Sequence, residues 1–274
     1  MLNCRGKIIE LNTPKIMGIL NLTHDSFYDG GRYNKVEAAL KQTEKMLNEG
    51  ADFIDIGASS TRPGAKNIKH EEEWILLKKH FVKIRKSFPE AIISVDTYHA
   101  QVAQNAIEEG ADMINDISAG SYDTNMFNVI AHYNVPYIMM HIKGTPENMQ
   151  LNPSYENIIK EILFYFSQRI QKLKLLGVCD IIIDPGIGFG KTIKQNFEIL
   201  NKLEYFTALD YPLLIGLSRK SLIYKTLQTS PDNALNGTTV LNTFALNKGA
   251  NILRVHDVKE AVETVKLMKM TKDN

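Results

Sequence analysis

Eight short apolar runs, spaced about 34 residues apart, constrain the fold more than any other feature of the sequence. Each run has five residues, and several are rich in isoleucine. Such runs are typical of strands buried on both faces of a parallel sheet, and the spacing leaves room for a loop and a helix after each strand. The runs are Ile16–Leu20, Asp52–Ile56, Ala91–Val95, Met113–Ile117, Pro136–Met140, Asp180–Asp184, Leu213–Leu217 and Asn251–Val255.

The segments between the runs have the periodicity of amphipathic helices. In one of them the apolar residues recur every three or four positions, which places them on one helix face; they are Trp74, Leu77, Phe81, Ile84 and Phe88. A Gly-Ala pair stands between a helix and the next run at 50–51, 110–111 and 249–250. Glycine is common at this position because it adopts the left-handed conformation that ends a helix.

Eight alternating strand and helix units predict a (β/α)8 TIM barrel of the α/β class. We expect a single domain over residues 1–274, with its core at about 14–268. A doubly wound open sheet is the alternative that this pattern leaves open.

The composition excludes several classes of protein. The 274 residues include 32 basic and 31 acidic side chains, a balance that argues against a surface for nucleic acid or anionic membranes. Two cysteines, Cys4 and Cys179, are too few for a disulfide framework and too far apart for a close-spaced metal site. No apolar run approaches the roughly 18 residues of a membrane span. We therefore expect a cytoplasmic protein without a membrane partner.

Polar side chains stand at or just after the ends of most apolar runs. In a barrel the carboxyl ends of the strands converge on one face, where active sites form. A single Asp after a strand often only caps the next helix, but here Asp96, Asn115 and Asp184 would point into one small volume. The pattern predicts an enzyme with a carboxylate and amide floor and a basic rim for an anionic ligand. The full set is Asn21, Asp55, Asp96, Asn115, Asp116, His141, Asp184, Ser218, Arg219, Arg254 and His256.

Three common catalytic motifs are absent. Residues 184–192 resemble a phosphate-binding P-loop, but Pro185 occupies the position of its first glycine. Residues 70–74 lack the second histidine of a zinc protease, and no Gly-x-Ser-x-Gly elbow occurs. Covalent catalysis by serine or cysteine is therefore not indicated.

Seven segments, taken together, resemble the dihydropteroate synthase family. Each stands at the end of a predicted strand, they follow the order of the family, and the match covers about residues 14–268. The family has the TIM-barrel fold that the periodicity predicts. The segments are MGILNLTHDSFYDGG (17–31), DIGASSTRPGA (55–65), SVDT (94–97), INDIS (114–118), DPGIGFGK (184–191), GLSRKS (216–221) and RVHDV (254–258).

The resemblance implies a transferase of folate biosynthesis that forms a C–N bond. The implied substrates are 6-hydroxymethyl-7,8-dihydropterin diphosphate and p-aminobenzoate, and the products are 7,8-dihydropteroate and pyrophosphate. The implied mechanism is SN1-like, with a pterin methylene cation as the intermediate and Mg2+ bound to the diphosphate. The resemblance also implies a target for sulfonamides.

The roles of the family transfer to this chain by position. Asp96, Asp184 and Lys220 match catalytic residues, and Asn21 matches the Mg2+ ligand. The implied pterin contacts are Asp96, Asn115, Asp184 and Lys220, the diphosphate contacts are Arg62, Arg254 and His256, and the aminobenzoate contacts are Thr61, Pro63, Phe189, Lys220 and Ser221.

Three positions depart from the usual family pattern. Family members usually have Pro where this chain has His24, often Gly-Glu where it has Ala58-Ser59, and Gly where it has Tyr224. The first two positions lie in predicted loops beside the site, and Tyr224 lies in a predicted helix behind it. None of the residues with an implied role is replaced.

Two alternative functions remain open from the sequence. One is a catalytically silent pterin-binding paralogue, and the other is a methyltransferase module of the corrinoid pathway, which would lack the segment 218–221. The resemblance also implies a homodimer, to which apolar residues near the carboxyl terminus would contribute. Candidates are Leu241, Phe244 and Met270.

Overall fold

The computed structural model describes residues 1–22, 32–58 and 68–272. Within these ranges the strands are β1 Leu2–Cys4, β2 Lys7–Ile9, β3 Lys15–Asn21, β4 Phe53–Gly57, β5 Ile92–Asp96, β6 Met113–Asp116, β7 Tyr137–Met140, β8 Ile181–Asp184, β9 Leu214–Ile215 and β10 Ile252–Val255. The α-helices are α1 Arg32–Asn48, α2 His70–Ser87, α3 Ala100–Glu108, α4 Met126–Tyr133, α5 Ile158–Leu175, α6 Ile193–Asn201, α7 Ser221–Thr226, α8 Leu235–Asn247 and α9 Val258–Lys272. Two 3-10 helices are at Leu203–Leu209 and Pro231–Asn233.

Strands β3 to β10 form one parallel sheet that closes on itself. Their order is β8-β7-β6-β5-β4-β3-β10-β9. A parallel bridge between Ile183 of β8 and Leu213, the residue before β9, joins the two edges. The prediction of a (β/α)8 TIM barrel is therefore confirmed, and the open-sheet alternative is wrong.

Each predicted apolar run overlaps one barrel strand, but β9 keeps only two of the five residues of its run. The ladder between β9 and β10 has only two residue pairs, Leu214 with Ile252 and Ile215 with Leu253. The chain leaves the sheet at this point because it enters a turn, in which the backbone N–H of Lys220 donates to the carbonyl of Leu217. The other parallel ladders continue for three to five pairs.

The helices pack around the barrel with their apolar faces inward. In α2 the buried residues include Leu77, Phe81 and Ile84, which belong to the predicted stripe. Gly50, Gly110 and Gly249 follow helices with φ values of +99°, +100° and +99°, as the Gly-Ala repeat predicts. No helix in the described part of the chain is long and apolar enough to cross a lipid bilayer.

A β-hairpin that the sequence patterns do not predict closes the amino end of the barrel. Strands β1 and β2 pair antiparallel, and Leu2 and Cys4 are almost completely buried. Burial raises the pKa of the Cys4 thiol to about 12, so this side chain is a neutral apolar group. The hairpin packs on one inward residue from each barrel strand: Met17, Phe53, Ile92, Met113, Ile138, Ile182, Leu214 and Ile252.

Candidate active site

Five polar side chains from five strands converge at the carboxyl end of the barrel. They are Asp55 of β4, Asp96 of β5, Asn115 of β6, Asp184 of β8 and Arg254 of β10. In four of these strands the polar residue stands two positions after a residue of the apolar layer below it, because every second residue faces the barrel interior. Phe53 and Asp55 illustrate this, with Phe53 in the apolar layer and Asp55 above it.

Arg254 connects two acids of this group of five, which we call the polar ring. Its Nε is 2.6 Å from Oδ2 of Asp55, and its Nη2 is 2.7 Å from Oδ2 of Asp96. Nδ2 of Asn115 donates to the same Asp55 oxygen at 3.0 Å. Burial alone would lower the pKa of Arg254, but the two carboxylates outweigh burial and raise it. The guanidinium is therefore a permanent cation that organises the carboxylates around it.

Burial raises the pKa of two acidic members of the polar ring, Asp96 and Asp184. It raises the pKa of Asp96 to about 7, although the charge of Arg254 opposes the shift. It also raises the pKa of Asp184, against the opposing charge of Lys220. Burial destabilises the ionised form of such carboxyl groups, and groups of this kind are concentrated at functional sites. The ring is thus chemically prepared to bind a group that supplies hydrogen-bond donors or positive charge.

Lys220 approaches the ring from the loop after β9. Its Nζ donates to the carbonyl of Ile187 and lies 4.7 Å from the centroid of the Phe189 ring. Burial lowers its pKa to about 8, with Asp184 acting in the opposite direction. The lysine therefore connects the carboxylates of the floor with the aromatic side of the β8–α6 loop.

The β8–α6 loop is held in shape by a buried lysine that the sequence patterns do not single out. Nζ of Lys191 donates to the carbonyls of His141, Gly186 and Phe189 at 3.2, 2.9 and 2.8 Å. Burial lowers its pKa well below the ordinary value. The three contacts determine the path of the loop, because a buried ammonium group is stable only where its donors are satisfied.

An apolar cluster lies beside the polar ring at the same end of the barrel. Three of its members are placed by ring residues: Tyr98 and Ile117 stand two positions after Asp96 and Asn115, and Met140 pairs in register with Asp184. A flat heterocycle has one polar edge and two apolar faces, and this combination of surfaces suits both. The full cluster is Tyr98, Ile117, Met140, Ile142 and Met149, with Tyr122 and Phe189 packed against it.

The rim at β10 is connected to the loop after β9 through His256. Its backbone N–H donates to Oγ of Ser218 at 3.2 Å, and its Nδ1 is 3.0 Å from the same oxygen. When the serine hydroxyl donates to Nδ1, the hydrogen of the neutral imidazole is on Nε2, which is then a donor. Ser221 is the first residue of α7 and is half-buried, and Asn21 is half-buried at the end of β3.

Some predicted residues lie outside the described part of the chain. They are the aminobenzoate contacts Thr61 and Pro63, the diphosphate contact Arg62, and the departures His24 and Ser59. Of the remaining departures, Ala58 is buried just after β4 and Tyr224 lies in α7. The structure therefore brings together eight predicted contacts, and their roles stay predictions: Asp96, Asn115, Asp184, Phe189, Lys220, Ser221, Arg254 and His256.

The sequence reasoning assigned no role to Asp55, although its place at a strand end was a usable signal. The missing information was three-dimensional, because only the folded barrel brings it against Arg254 and Asn115. Asp116 also stands at a strand end, but unlike Asp55 it faces away from the ring. It accepts hydrogen bonds from the hydroxyl of Tyr137 and from Ser118, and it supports the loop after β6.

Comparison with known proteins agrees with this geometry. The family described as pterin binding enzyme matches residues 17–256. The chain is 38% identical over 269 residues to the dihydropteroate synthase of Escherichia coli strain K12, which covers 97% of this chain and 95% of that protein. It is 42% identical over 255 residues to the dihydropteroate synthase of Clostridium beijerinckii, with 92% of each chain covered.

Solved structures give the same result over the whole chain. The Yersinia pestis dihydropteroate synthase in complex with a sulfonamide drug has a TM-score of 0.93 at 36% identity, covering 100% of this chain and 99% of that one. The Xanthomonas albilineans enzyme with 4-aminobenzoic acid has a TM-score of 0.93 at 34% identity, with 100% and 98% covered. The chain therefore belongs to the dihydropteroate synthase family of pterin-binding enzymes.

Proposed function

We propose that this chain joins 6-hydroxymethyl-7,8-dihydropterin diphosphate to p-aminobenzoate, as a dihydropteroate synthase of folate biosynthesis. The observation that carries the proposal is the polar ring itself, with its buried acids Asp96 and Asp184 beside Lys220. It occurs in a chain that is 38 to 42% identical to dihydropteroate synthases over nearly its full length. The reaction breaks the C–O bond to the diphosphate and forms a C–N bond.

The pterin edge is the part of the substrate that fits the floor. It presents adjacent N–H donors in an arrangement like that of a guanidine, and a carboxylate such as Asp184 can accept two of them. One oxygen of Asp184 already accepts the backbone N–H of Gly186 at 2.7 Å, which fixes the carboxylate in place. Asn115 supplies both a donor and an acceptor for the rest of that edge.

The floor also favours the charge that develops during the reaction. As the C–O bond breaks, its electron pair leaves with the diphosphate, and the pterin methylene becomes a delocalised cation. Asp96 and Asp184 are fixed before the substrate arrives, so the negative charge of their ionised forms stabilises this cation without reorganisation. The amine of p-aminobenzoate then attacks the methylene carbon and loses a proton. An aromatic amine is neutral at pH 7, so the step needs no strong general base.

Residues on the other side of the site fit the diphosphate. His256 at the rim can donate a hydrogen bond from Nε2 to the diphosphate, and Arg254 adds positive charge below it. Arg62 is the third predicted contact and lies outside the described residues. Departure of pyrophosphate is easier where cations surround it, because they stabilise the negative charge that it carries away.

The donor set near the diphosphate is compatible with Mg2+. Within the described residues there is no group of three or more His, Cys, Asp or Glu that could hold a metal ion. Mg2+ often takes only one or two protein ligands and completes its shell with phosphate oxygens and water. Asn21, half-buried at the end of β3, offers one amide oxygen. In this role Mg2+ would neutralise charge on the leaving diphosphate.

The second substrate is assigned to the side of Phe189 and α7. The ring of Phe189 can pack against the benzene ring. The ammonium of Lys220 and the hydroxyl of Ser221, at the start of α7, offer partners for the carboxylate. Thr61 and Pro63 complete the predicted pocket.

We also propose a cytoplasmic homodimer. Phe244 of α8 and Met270 of α9 are 38% and 62% exposed, and Val240 and Leu267 add further exposed apolar surface on the same helices. Leu241 packs against the core, so it is less available for a partner.

The direct test is pyrophosphate release by the purified protein with both substrates and Mg2+. We expect turnover that requires p-aminobenzoate, together with formation of dihydropteroate. Asp184→Asn serves as the control for site-specific activity. A silent paralogue would bind the pterin without releasing pyrophosphate, and a methyltransferase would give no product from p-aminobenzoate, so either result would contradict the proposal.

A further inference from the structure

Arg219 has a backbone conformation that is unfavourable for its side chain. Its φ is +56°, in the left-handed region that bulky residues rarely occupy. Such a conformation persists only where the surroundings hold it. Arg219 lies in the loop after β9, directly before Lys220, so whatever holds Arg219 also determines where Lys220 begins.

The surroundings hold Arg219 through its guanidinium group. Its Nε donates to Oδ2 of Asp257 at 3.0 Å and its Nη2 to Oδ1 at 2.7 Å, a bidentate pair. Its backbone N–H donates to Oγ1 of Thr238 at 3.1 Å. The hydrogen bond to Asp257 raises the pKa of Arg219, which remains charged at any physiological pH. Two parallel bonds between planar groups restrict both distance and orientation.

This ion pair connects two loops that the sheet does not connect. The ladder between β9 and β10 ends at Ile215 and Leu253, before either loop begins. Beyond that point the loops contact each other through side chains: Arg219 with Asp257, and Ser218 with His256. One loop carries Lys220 and leads into Ser221 of α7, and the other carries His256.

We propose that the Arg219–Asp257 pair is a positioning clamp, which sets the distance between the Lys220 loop and the His256 loop in place of the missing ladder. The clamp rests on the proposed function, in which Lys220 serves the pterin and aminobenzoate and His256 serves the diphosphate. Arg219 and Asp257 touch no substrate in this proposal. They act through the residues next to them, and the bond that must break lies between the two groups they align.

A purely stabilising role would have a different signature. The Arg219 side chain is 29% exposed and that of Asp257 is 17% exposed. Ion pairs in such surroundings contribute little to folding, typically about 0–1 kcal/mol. Small displacements of positioned groups have much larger effects on the rate of a reaction. Loss of the clamp should therefore affect KM and kcat more than Tm.

Asp257→Asn is the cleanest variant for the test. Asp257 directly precedes α9, and Asn caps helices as well as Asp does, so the helix end is retained. Only the charge and one acceptor are lost. We expect KM for p-aminobenzoate and for the pterin diphosphate each to rise about tenfold, with Tm nearly unchanged. Arg219→Lys keeps the charge without the bidentate geometry and should have a similar but smaller effect.

The exchange variant Arg219→Asp with Asp257→Arg provides the rescue. Asp is tolerated in the left-handed conformation better than most residues, and the exchange restores the pair in reverse. We expect Arg219→Asp alone and Asp257→Arg alone each to lose activity, and the exchange to recover most of the lost kcat/KM. Such non-additivity is the signature of direct coupling.

Arg85 and Asp112 give a matched control at the opposite end of the barrel. Their ion pair is more buried, with side chains 13% and 7% exposed. Asp112→Asn should lower Tm and leave both KM values unchanged.

Titration calorimetry measures the affinity of every variant for Mg2+-pyrophosphate, which tests the position of His256 without turnover. We expect weaker binding in Asp257→Asn.

The outcomes separate the clamp from the proposed function. Wild-type protein without pyrophosphate release would refute the proposed function, and the calorimetry would still test the clamp. If the wild type is active while Asp257→Asn lowers only Tm, or if the exchange variant loses the sum of the two single losses, the clamp is wrong. Raised KM values that the exchange restores, with an unaffected Asp112→Asn control, would support it.

Discussion

The two ends of the barrel are built from the same eight strands and have opposite chemistry. At the amino end one apolar side chain from each strand packs under Leu2 and Cys4 of the hairpin. Two residues further along four of these strands stand Asp55, Asn115, Asp184 and Arg254, which are charged or polar. Because alternate residues of a strand face the same side, a step of two residues separates the two layers.

The difference shows which end of the barrel stabilises the fold and which end destabilises it. Buried apolar surface at the amino end contributes roughly 25 cal/mol per Å2 to folding. At the carboxyl end burial raises the pKa of Asp96 and Asp184, which means that their ionised forms are unfavourable in the folded protein. The site can keep poorly solvated charges ready for a substrate because the opposite end stabilises the fold.

The largest expected effect comes from opening a cavity at the amino end. Phe53→Ala removes a completely buried ring from the layer beneath the hairpin. We expect the free energy of unfolding to fall by about 3–5 kcal/mol, because the cavity loses packing contacts as well as buried area. Denaturant titration measures the loss, and kinetics at low temperature should give KM values close to those of the wild type. A tenfold change in either KM would mean that the two ends are not independent.

The next largest effect comes from a change at the carboxyl end, which should affect activity and leave stability intact. Asp184→Asn keeps the size of the side chain and places an amide donor against the donors of the pterin edge. We expect a loss of about 2–4 kcal/mol in transition-state stabilisation, read from kcat/KM. The free energy of unfolding at pH 8 should remain the same or rise, because the variant no longer buries a carboxyl group whose ionised form burial disfavours. Wild-type kcat/KM would remove Asp184 from the pterin site.

Most of the fold was predictable because the signal is repeated. Eight apolar runs with amphipathic segments between them specify a barrel even where one run is imperfect, as at Leu213–Leu217, where only Leu214 and Ile215 pair in the strand. The hairpin was not predictable in this way. Leu2 and Cys4 are two isolated apolar residues, and the layer that buries them consists of residues from all eight strands.

The sequence predicts which residues belong to the site better than it predicts which of them contact one another. Strand ends indicate that Asp96, Asn115 and Asp184 share a face, and this follows from parallel strands alone. The contacts of Arg254 with Asp55 and Asp96 depend on distances across the barrel, which no local pattern encodes. The same holds for Arg219 and Asp257, which are 38 positions apart.

Arg254 has two assignments that can be tested against each other, as a diphosphate contact and as a member of the polar ring. The resemblance assigns it to the diphosphate, and the structure has it bonded to Asp55 and Asp96 in the polar ring. We expect Arg254→Ala to weaken Mg2+-pyrophosphate binding by roughly 1.5–3 kcal/mol, the range for a charged hydrogen bond. Calorimetry would also show weaker pterin binding, because two carboxylates lose their common partner. Unchanged pyrophosphate affinity in both Arg254→Ala and His256→Ala would refute the diphosphate assignment.

The smallest expected effect concerns the pH dependence of stability at the carboxyl end. The folded protein holds the proton of Asp96 up to about pH 7, while an unfolded Asp releases it near pH 4 (about 3.9). Between these values the folded state binds more protons than the unfolded state. The free energy of unfolding therefore falls as the pH rises from about 4 to 7, and the contribution is fully lost above the folded pKa.

Asp96→Asn removes this titration while keeping the shape of the side chain. Between pH 5 and pH 8 the variant should lose less stability than the wild type, by on the order of 1–2 kcal/mol, because only the wild type releases the Asp96 proton in the folded state over this range. Denaturant titrations at both pH values measure the difference. Glu90→Gln is the control, because this exposed carboxyl pairs with Lys7, its pKa is lowered, and it is ionised at both pH values. Its pH dependence should match that of the wild type. If Asp96→Asn also matches the wild type, Asp96 is ionised throughout this range, and the carboxyl end carries less unfavourable charge than its burial indicates.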